Sequence, residues 1–210
     1  MYKIDFHIHT RNYSACSSVE PEAVVKEAES LGIDVLIFTE HDVMWKKEEL
    51  EAINFISPKV TVLNGIEVST RQGHMLLFGV EEGYEADRYQ SIEQFFYSLR
   101  GKKELLVIPA HPYRFSSAHG EMLRGYDFDA LECYSLNSNL SATAQAIELA
   151  RIKKVPALAT SDLHDIEKFG KYWSETKVNI KSMKDFIKAV KKGKVFTPDV
   201  IVEKLTPYIL

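Results

Sequence analysis

The sequence predicts an α/β chain folded as a small or incomplete β/α barrel of about seven strands. Three observations predict it. Short, β-branched apolar runs alternate with helical stretches along 210 residues, which implies parallel β/α units. Histidines and carboxylates recur where those runs end, the rim on which β/α barrels assemble their sites. No Pro/Gly/Ser linker, repeat or low-complexity tract divides the chain, so one domain is expected over residues 1–210. The alternative with the same alternation is a doubly wound open sheet.

Taken in order, residues 2–9 (YKIDFHIH) alternate strictly. That places Ile4, Phe6 and Ile8 on one strand face and Asp5, His7 and His9 on the other. After the loop RNYSACSSVE a helix is expected from about Pro21, suited to the first helical position, to Leu31, with Gly32 as its stop. VLIF (35–38) reads as a buried strand that ends in Thr39-Glu40-His41-Asp42, and a helix of about 46–57 follows. VTVL (60–63) runs on to Gly65-Ile66-Glu67, and a turn through Arg71-Gln72-Gly73 leads to His74 and the strand MLLFGV. Residues 91–100 are helical in pattern. LLVI (105–108) ends in Pro109-Ala110-His111-Pro112, and ALECY (130–134) is a short strand. Residues 140–154 are rich in alanine and leucine, good helix formers. ALAT (157–160) ends in Ser161-Asp162-Leu163-His164, and Ser182 with Asp185 resembles a capping box for a helix that Gly193 stops. The tail from about 198 to 210 carries Ile201, Val202, Leu205, Ile209 and Leu210. It is expected to pack on the barrel or on a partner chain, and the oligomeric state stays open.

Composition narrows the function classes. Hydrophobic residues make up 45% and charged residues 27%, an ordinary globular balance. The net charge of -4 gives no basic footprint for duplex nucleic acid, so a small substrate is expected rather than an extended nucleic-acid groove. Two cysteines, Cys16 and Cys133, suggest no disulfide framework and fit a reducing cytoplasm. No signal peptide is read at the N-terminus, and no stretch approaches the roughly 20 apolar residues of a membrane span.

A single histidine after a strand is commonplace as a hydrogen-bonded structural group. Here His41, Glu67, His111, Asp162 and His164 all follow strands, and His7 and His9 form an i, i+2 pair on the first. Their agreement within one chain points to a shared centre. Histidine is the commonest metal ligand, and carboxylates compensate charge and bridge ions. With so few thiols this is not a cysteine-rich structural zinc site; an open catalytic cluster is expected.

Asp5-Phe6-His7-Ile8-His9-Thr10, Thr39-Glu40-His41-Asp42, Gly65-Ile66-Glu67-Val68-Ser69, Gly73-His74, Ala110-His111-Pro112 and Ser161-Asp162-Leu163-His164 together resemble the PHP family, named for polymerase and histidinol phosphatase domains. The resemblance covers nearly the whole chain in the family's order. It implies a distorted seven-stranded, TIM-like (β/α)7 barrel and a site for two or three divalent ions that hydrolyses phosphoesters. Carried over, it gives His7, His9 and Asp162 to one ion, Glu67 as a bridge to a second completed by His74 and His111, and His41 and His164 to a third. Many relatives place aspartate or histidine in the loop after the first strand, where this chain has Ser14-Ala15-Cys16-Ser17. Three outcomes therefore stay open for the third ion: weakly held, absent, or bound through Cys16. Mixed imidazole and carboxylate ligands suit zinc, manganese or iron.

The expected reaction is hydrolysis of a small phosphomonoester, a nucleotide or a phosphorylated metabolite, by hydroxide that divalent ions make available near neutral pH. Asp42 and Arg114 are the catalytic candidates beside the ligands. Arg114 is also a substrate-binding candidate, because a guanidinium grips phosphate bidentately. Asn137, which resembles a polar residue of the family, and Lys171, just past Phe169-Gly170, complete the substrate-binding set. Asp5 and Asp42 are expected to orient histidine rings. His119 is expected in an exposed or lid loop, and Tyr134, Trp45 and Trp173 in packing rather than base stacking. The competing functions are a phosphodiesterase or exonuclease on nucleic-acid ends, a metal-dependent amide or lactone hydrolase, and a metal-free scaffold.

Overall fold

The computed structural model describes residues 1–209, with side chains through residue 205. Strands β1 (Tyr2–Ile8), β2 (Val35–His41) and β3 (Thr61–Ser69) run parallel, joined by helices α1 (Pro21–Leu31) and α2 (Lys47–Asn54). Pro21 and Gly32 bound α1 as the sequence predicts, with Gly32 at φ 66° and its N–H donating to the carbonyls of Ala28 and Glu29.

Strand β4 (His74–Phe78) breaks the all-parallel expectation by running antiparallel to β3, with Ser69 opposite His74. The reason is length. Parallel neighbours need a crossover of a dozen or more residues, and Thr70–Gly73 supply a turn closed by the Thr70 N–H and hydroxyl on the Gly73 carbonyl. Strand β5 (Leu106–Ala110) is antiparallel to β4, after helix α3 (Ile92–Ser98), and so realigns with β1–β3. The reversal has a consequence for the site: the first residue of β4 lies at the end of the sheet where the parallel strands finish.

Helix α4 (Ser117–Leu123) precedes β6 (Leu131–Tyr134), which pairs in parallel with β7 (Ala157–Ala159) across helix α5 (Leu140–Lys153). Strand β8 (Ser174–Thr176) is antiparallel to β1 and pairs with β9 (Val195–Phe196); α6 (Met183–Lys191) and α7 (Asp199–Ile209) complete the described residues. The result is a curled seven-stranded sheet, ordered β5-β4-β3-β2-β1-β8-β9, beside the two-stranded β6-β7 sheet. Among the described residues no continuous ladder closes a full barrel. Strand β8 occupies the free edge of β1 at Tyr2–Ile4, leaving Ile8 to bridge to Leu163. On the far side the Asp129 and His111 N–H groups donate to the Val107 carbonyl and to Glu132.

The register of β1 shifts between Asp5 and Ile8, which corrects the simple alternation. Ile4 and Phe6 pack with Phe78 and Phe186, whereas Ile8 joins Leu36, Phe38 and the Val24–Val25 face of α1. The tail forms α7, which lies against α5 with Ile201 buried. Ile209 and Leu210 fall outside the described side chains. No described helix is long and apolar enough to cross a membrane.

One backbone position in β3 tolerates no side chain. A Cβ on Gly65 would come within 2.6 Å of the Phe78 ring, and that ring is held by Phe6 and Phe186. Gly65→Ala is expected to destabilise by about 1–3 kcal/mol, the usual range for overpacking. An unchanged melting temperature would show that Phe78 moves aside freely.

Candidate metal centre

The strand ends converge as the sequence predicts. His7 and His9 leave β1, His41 ends β2, Glu67 lies in the last part of β3, and His111 follows β5. Asp162 and His164 follow β7, and His74 arrives from the opposite direction at the start of the reversed β4.

Glu67 sits at the centre. Its Oε1 lies 3.0 Å from His74 Nδ1, 3.2 Å from His111 Nε2 and 3.3 Å from His7 Nε2. Its Oε2 lies 2.9 Å from His41 Nδ1 and 3.2 Å from His9 Nε2. Asp162 Oδ1 faces His7, His9 and His164 at 3.4, 3.6 and 3.4 Å. Its Oδ2 accepts from Arg114 Nη1 and Asn137 Nδ2, each at 2.8 Å. Among the described residues, three of the four non-glycine residues with positive φ are Asp42, His111 and Asp162. Such conformations cost of order 1–3 kcal/mol each and persist where surrounding structure holds them, here at the rim of the cluster.

Among the described residues the donor atoms fall into four groups: His7, His9 and Asp162; His7, Glu67 and His111; His41, Glu67 and His74; and His9, Cys16, His41 and His164. The first agrees with the carried-over ligand set. The second and third place His111 and His74 in different groups that share Glu67, whereas the carried-over set gives both to one ion. Divalent ions fit this arrangement on two counts. Glu67 Oε2, Asp162 Oδ1 and His41 Nδ1 are buried without a hydrogen-bond partner, and unsatisfied buried polar atoms require an explanation. His7 Nε2 and His9 Nε2 face one another at 3.0 Å, an approach that a shared cation relieves.

Electrostatics supports the same reading. Burial works against charge on His7, but Glu132, Asp162 and Glu67 outweigh it and hold its pKa well above the usual value. Burial also opposes charge on His9, and the neighbouring Asp162 and Glu67 carboxylates overcome it, raising that ring to about 9. His74 is raised against burial mainly by Glu67. Burial tends to raise Glu67, yet the surrounding rings, His7 and His74 first, draw it well below the carboxylate range. The raised rings, His7, His9 and His74, therefore hold their protons more tightly than a free imidazole, and ligation must displace them. Ion loading is expected to release protons and to strengthen as pH climbs through about 9, the His9 value. Calorimetric titrations in two buffers of different protonation enthalpy test this; identical heats would contradict it.

Outer partners orient the rings. His7 Nδ1 meets Glu132 Oε1 at 2.9 Å, and Glu132 Oε2 accepts from the His111 N–H at 2.7 Å. His9 Nδ1 meets the Ser14 hydroxyl, which itself donates to Glu40. Glu132 and Glu40 escaped the sequence reading as ring-positioning groups, although each is a carboxylate inside an apolar strand. The expected orienters act differently. Asp5 accepts from the backbone N–H groups of Ser161 and His7, and Asp42 accepts from the Ser69 N–H and pairs with Arg88. Neither carboxylate bonds to a histidine ring.

Other placements differ as well. Lys171 is exposed and lines a separate cleft with Tyr172, Trp173 and Lys204, so the fold does not bring it to the cluster. His119 is buried on α4, against Gly73, and burial holds its pKa down at about 4. Trp45 is buried and donates to Glu40, and Tyr134 is buried in the core. Trp173 is half-buried, with Lys3 over its ring. These aromatics pack, as expected.

The cluster opens to a cleft of about 500 Å³ lined by Tyr13, Cys16, His41, Asp42, His74 and Arg88 among others. Within the cluster His7 and His9 are fully buried, while the side chains of His41, His74, His164 and Arg114 are 24–27% exposed, and of these His41 and His74 line the cleft. A larger cleft of about 710 Å³, near Arg100 and Tyr126, contains none of these histidines. Donor chemistry, not volume, selects the smaller one.

Comparison with known proteins agrees with this geometry. A family profile described as PHP domain matches residues 5–130, and one described as PHP-associated matches residues 141–195. Among solved structures the chain is similar to PsfC from Pseudomonas syringae, at 16% identity and a TM-score of 0.62, over 99% of this chain and 97% of that one. It is similar to a candidate metal-dependent phosphoesterase from Bifidobacterium adolescentis, at 14% identity and a TM-score of 0.58, over 97% and 95%. A third similar structure is an amidohydrolase from Chromobacterium violaceum with bound sulfate and no metal, at 14% identity and a TM-score of 0.62, over 93% and 98%. At these identities the likeness is one of fold. No curated protein matches the chain in sequence.

Proposed function

The chain belongs to the PHP domain family, and on that premise we propose that it is a metal-dependent phosphoesterase acting on a small phosphomonoester, a nucleotide or a phosphorylated metabolite, on a distorted seven-stranded barrel. The observation that carries the choice of phosphate is Arg114, whose Nη1 lies 2.8 Å from Asp162 at the mouth of the histidine–carboxylate cluster. Two or three divalent ions of zinc, manganese or iron, held by His7, His9, His41, Glu67, His74, His111, Asp162 and His164, would lower the pKa of water and neutralise phosphate oxygens.

The protein's own groups do the positioning. Arg114 presents a planar fork that matches two phosphate oxygens. It sits over the Phe115 ring, which limits the directions the fork can take. Asn137 holds both the carbonyl and the carboxylate of Asp162, at 2.7 and 2.8 Å, and so fixes the residue that faces three histidines. Burial of His7 and His9 leaves the partly exposed His41, His74 and His164 side as the approach for substrate. The net charge of -4 argues for a small ester rather than a nucleic-acid strand.

The test is hydrolysis of an aryl phosphate and a nucleotide panel by protein stripped of metal and refilled with manganese, zinc or iron(II). His7→Ala and Asp162→Ala are expected to abolish release. Arg114→Ala is expected to lower kcat/KM by about 10–100-fold, the equivalent of the 1.5–3 kcal/mol of a charged hydrogen bond. Metal-loaded protein that cleaves amides or lactones but no phosphate ester, or an Arg114→Ala variant with undiminished phosphatase activity, would overturn the proposal.

A further inference from the structure

Resting on the metal reading above, we propose that the Cys16 thiolate ligates a separate ion at the mouth of the cluster, together with His41 and His164. The Cys16 sulfur and one ring nitrogen each of His9, His41 and His164 lie within 4.8 Å of one another. Each of the other three donor groups contains Glu67 or Asp162, whereas this one contains no carboxylate. Within this group only the thiol can supply a negatively charged ligand atom, while Glu67 and Asp162 stand behind His41 and His164. The coordinated thiol loses its proton to solvent, which gives the outer ion an anionic ligand of its own.

Ring geometry decides which histidines are available. His9 is committed inward: its Nδ1 meets Ser14 Oγ at 3.2 Å, and its Nε2 faces Glu67 and His7 at 3.2 and 3.0 Å. His164 is not so committed. Its Nδ1 bonds to the Asp162 carbonyl at 2.9 Å, which fixes that nitrogen as the donor and leaves the Nε2 lone pair free to ligate. His41 lies between the inner and outer groups, belonging to both. The outer ion would then have one sulfur and two nitrogen ligands with an open position, the pattern of an accessible rather than a structural site.

The loop that carries Cys16 is built against the histidine strand. The Ser14 N–H donates to the Thr10 carbonyl, the Ser17 N–H to the Ser14 carbonyl, and the Ser17 hydroxyl to the His9 carbonyl at 2.9 Å. These bonds hold Cys16 at the cleft, which it lines beside His41. The other cysteine, Cys133, is buried in the apolar core and cannot serve. A sulfur ligand favours zinc or iron over manganese, so the outer position would differ in metal preference from the inner histidine–carboxylate positions.

The test is anaerobic titration of metal-stripped protein with cobalt(II), read by elemental analysis and by the near-ultraviolet thiolate-to-cobalt charge-transfer band. Wild type is expected to show the band. Cys16→Ser is expected to lose it and to bind one ion fewer, and Cys16→His to recover the ion without the band. Ions bound by wild type with no band, or a band that persists in Cys16→Ser, overturn this assignment and leave the inner centre standing. Equal ion content in wild type and Cys16→Ser also overturns it. Failure of wild type to bind any ion overturns the metal reading itself.

Discussion

Glu67→Gln is expected to empty more than one ion position and to lower turnover by about 10³-fold, the rate equivalent of several kcal/mol of lost transition-state stabilisation. The side chain keeps its size, so the change isolates charge and lone pairs. Glu67 is within 3.3 Å of five histidines, and it belongs to two of the four donor groups. An amide offers one acceptor oxygen where the carboxylate offers two. Whichever way it turns, one row of rings meets an NH2 group that can neither ligate nor accept. Removing one member of a buried charge network also costs about 3–5 kcal/mol of folding stability. The measurement therefore pairs metal content and turnover with the melting temperature of the ion-free protein. A folded variant that retains full metal content and full activity would remove Glu67 from the centre.

The donor cluster was legible because chemistry and position coincide. One histidine or carboxylate after an apolar strand is commonplace, but His41, Glu67, His111 and the Asp162/His164 pair repeat the pattern on four strands. Partners that reach across the fold were not. Asp5 and Asp42 stand beside histidines in sequence, but their carboxylates bend back to backbone N–H groups, and adjacency does not tell which atom a side chain reaches. Lys171 follows Gly170, whose φ of 75° turns the chain, and the lysine opens into another cleft. His119 lies in Ser-Ser-Ala-His-Gly, which lacks helical apolar spacing, yet it lies on α4 and packs where Gly73 has no Cβ. A methyl on Gly73 would come within 2.0 Å of the His119 ring, and one on Gly120 within 2.2 Å of Tyr113. The reversal of β4 was readable in principle, since four residues cannot span a crossover. β8 and β9, of three and two residues, are too short to show a period.

Glu132 carries the second large effect, and it was hidden inside the strand reading ALECY. Its own signal is a carboxylate in the middle of an apolar run, since an acidic residue is almost never fully buried without partners. The partners are the His7 ring at 2.9 Å, the His111 N–H at 2.7 Å and the Thr160 hydroxyl. With Oε1 accepting from His7 Nδ1–H, the lone pair of His7 is confined to Nε2, the nitrogen that faces Glu67 and Asp162. Glu132→Gln preserves volume but cannot accept from both His7 Nδ1–H and the His111 N–H. If its NH2 faces His7, that ring is driven to the other tautomer, with the proton on the ligating nitrogen. If it faces His111, a strained backbone at φ 29° loses its acceptor. Loss of such an outer partner costs about 10–100-fold in metal affinity, and the loss should fall on the two donor groups that contain His7. The group formed by His41, Glu67 and His74 should keep its affinity. Chelator competition resolves the two classes: uniform weakening would mean a general loosening of the fold, and unchanged affinity would mean that Glu132 fills space without setting the tautomer of His7.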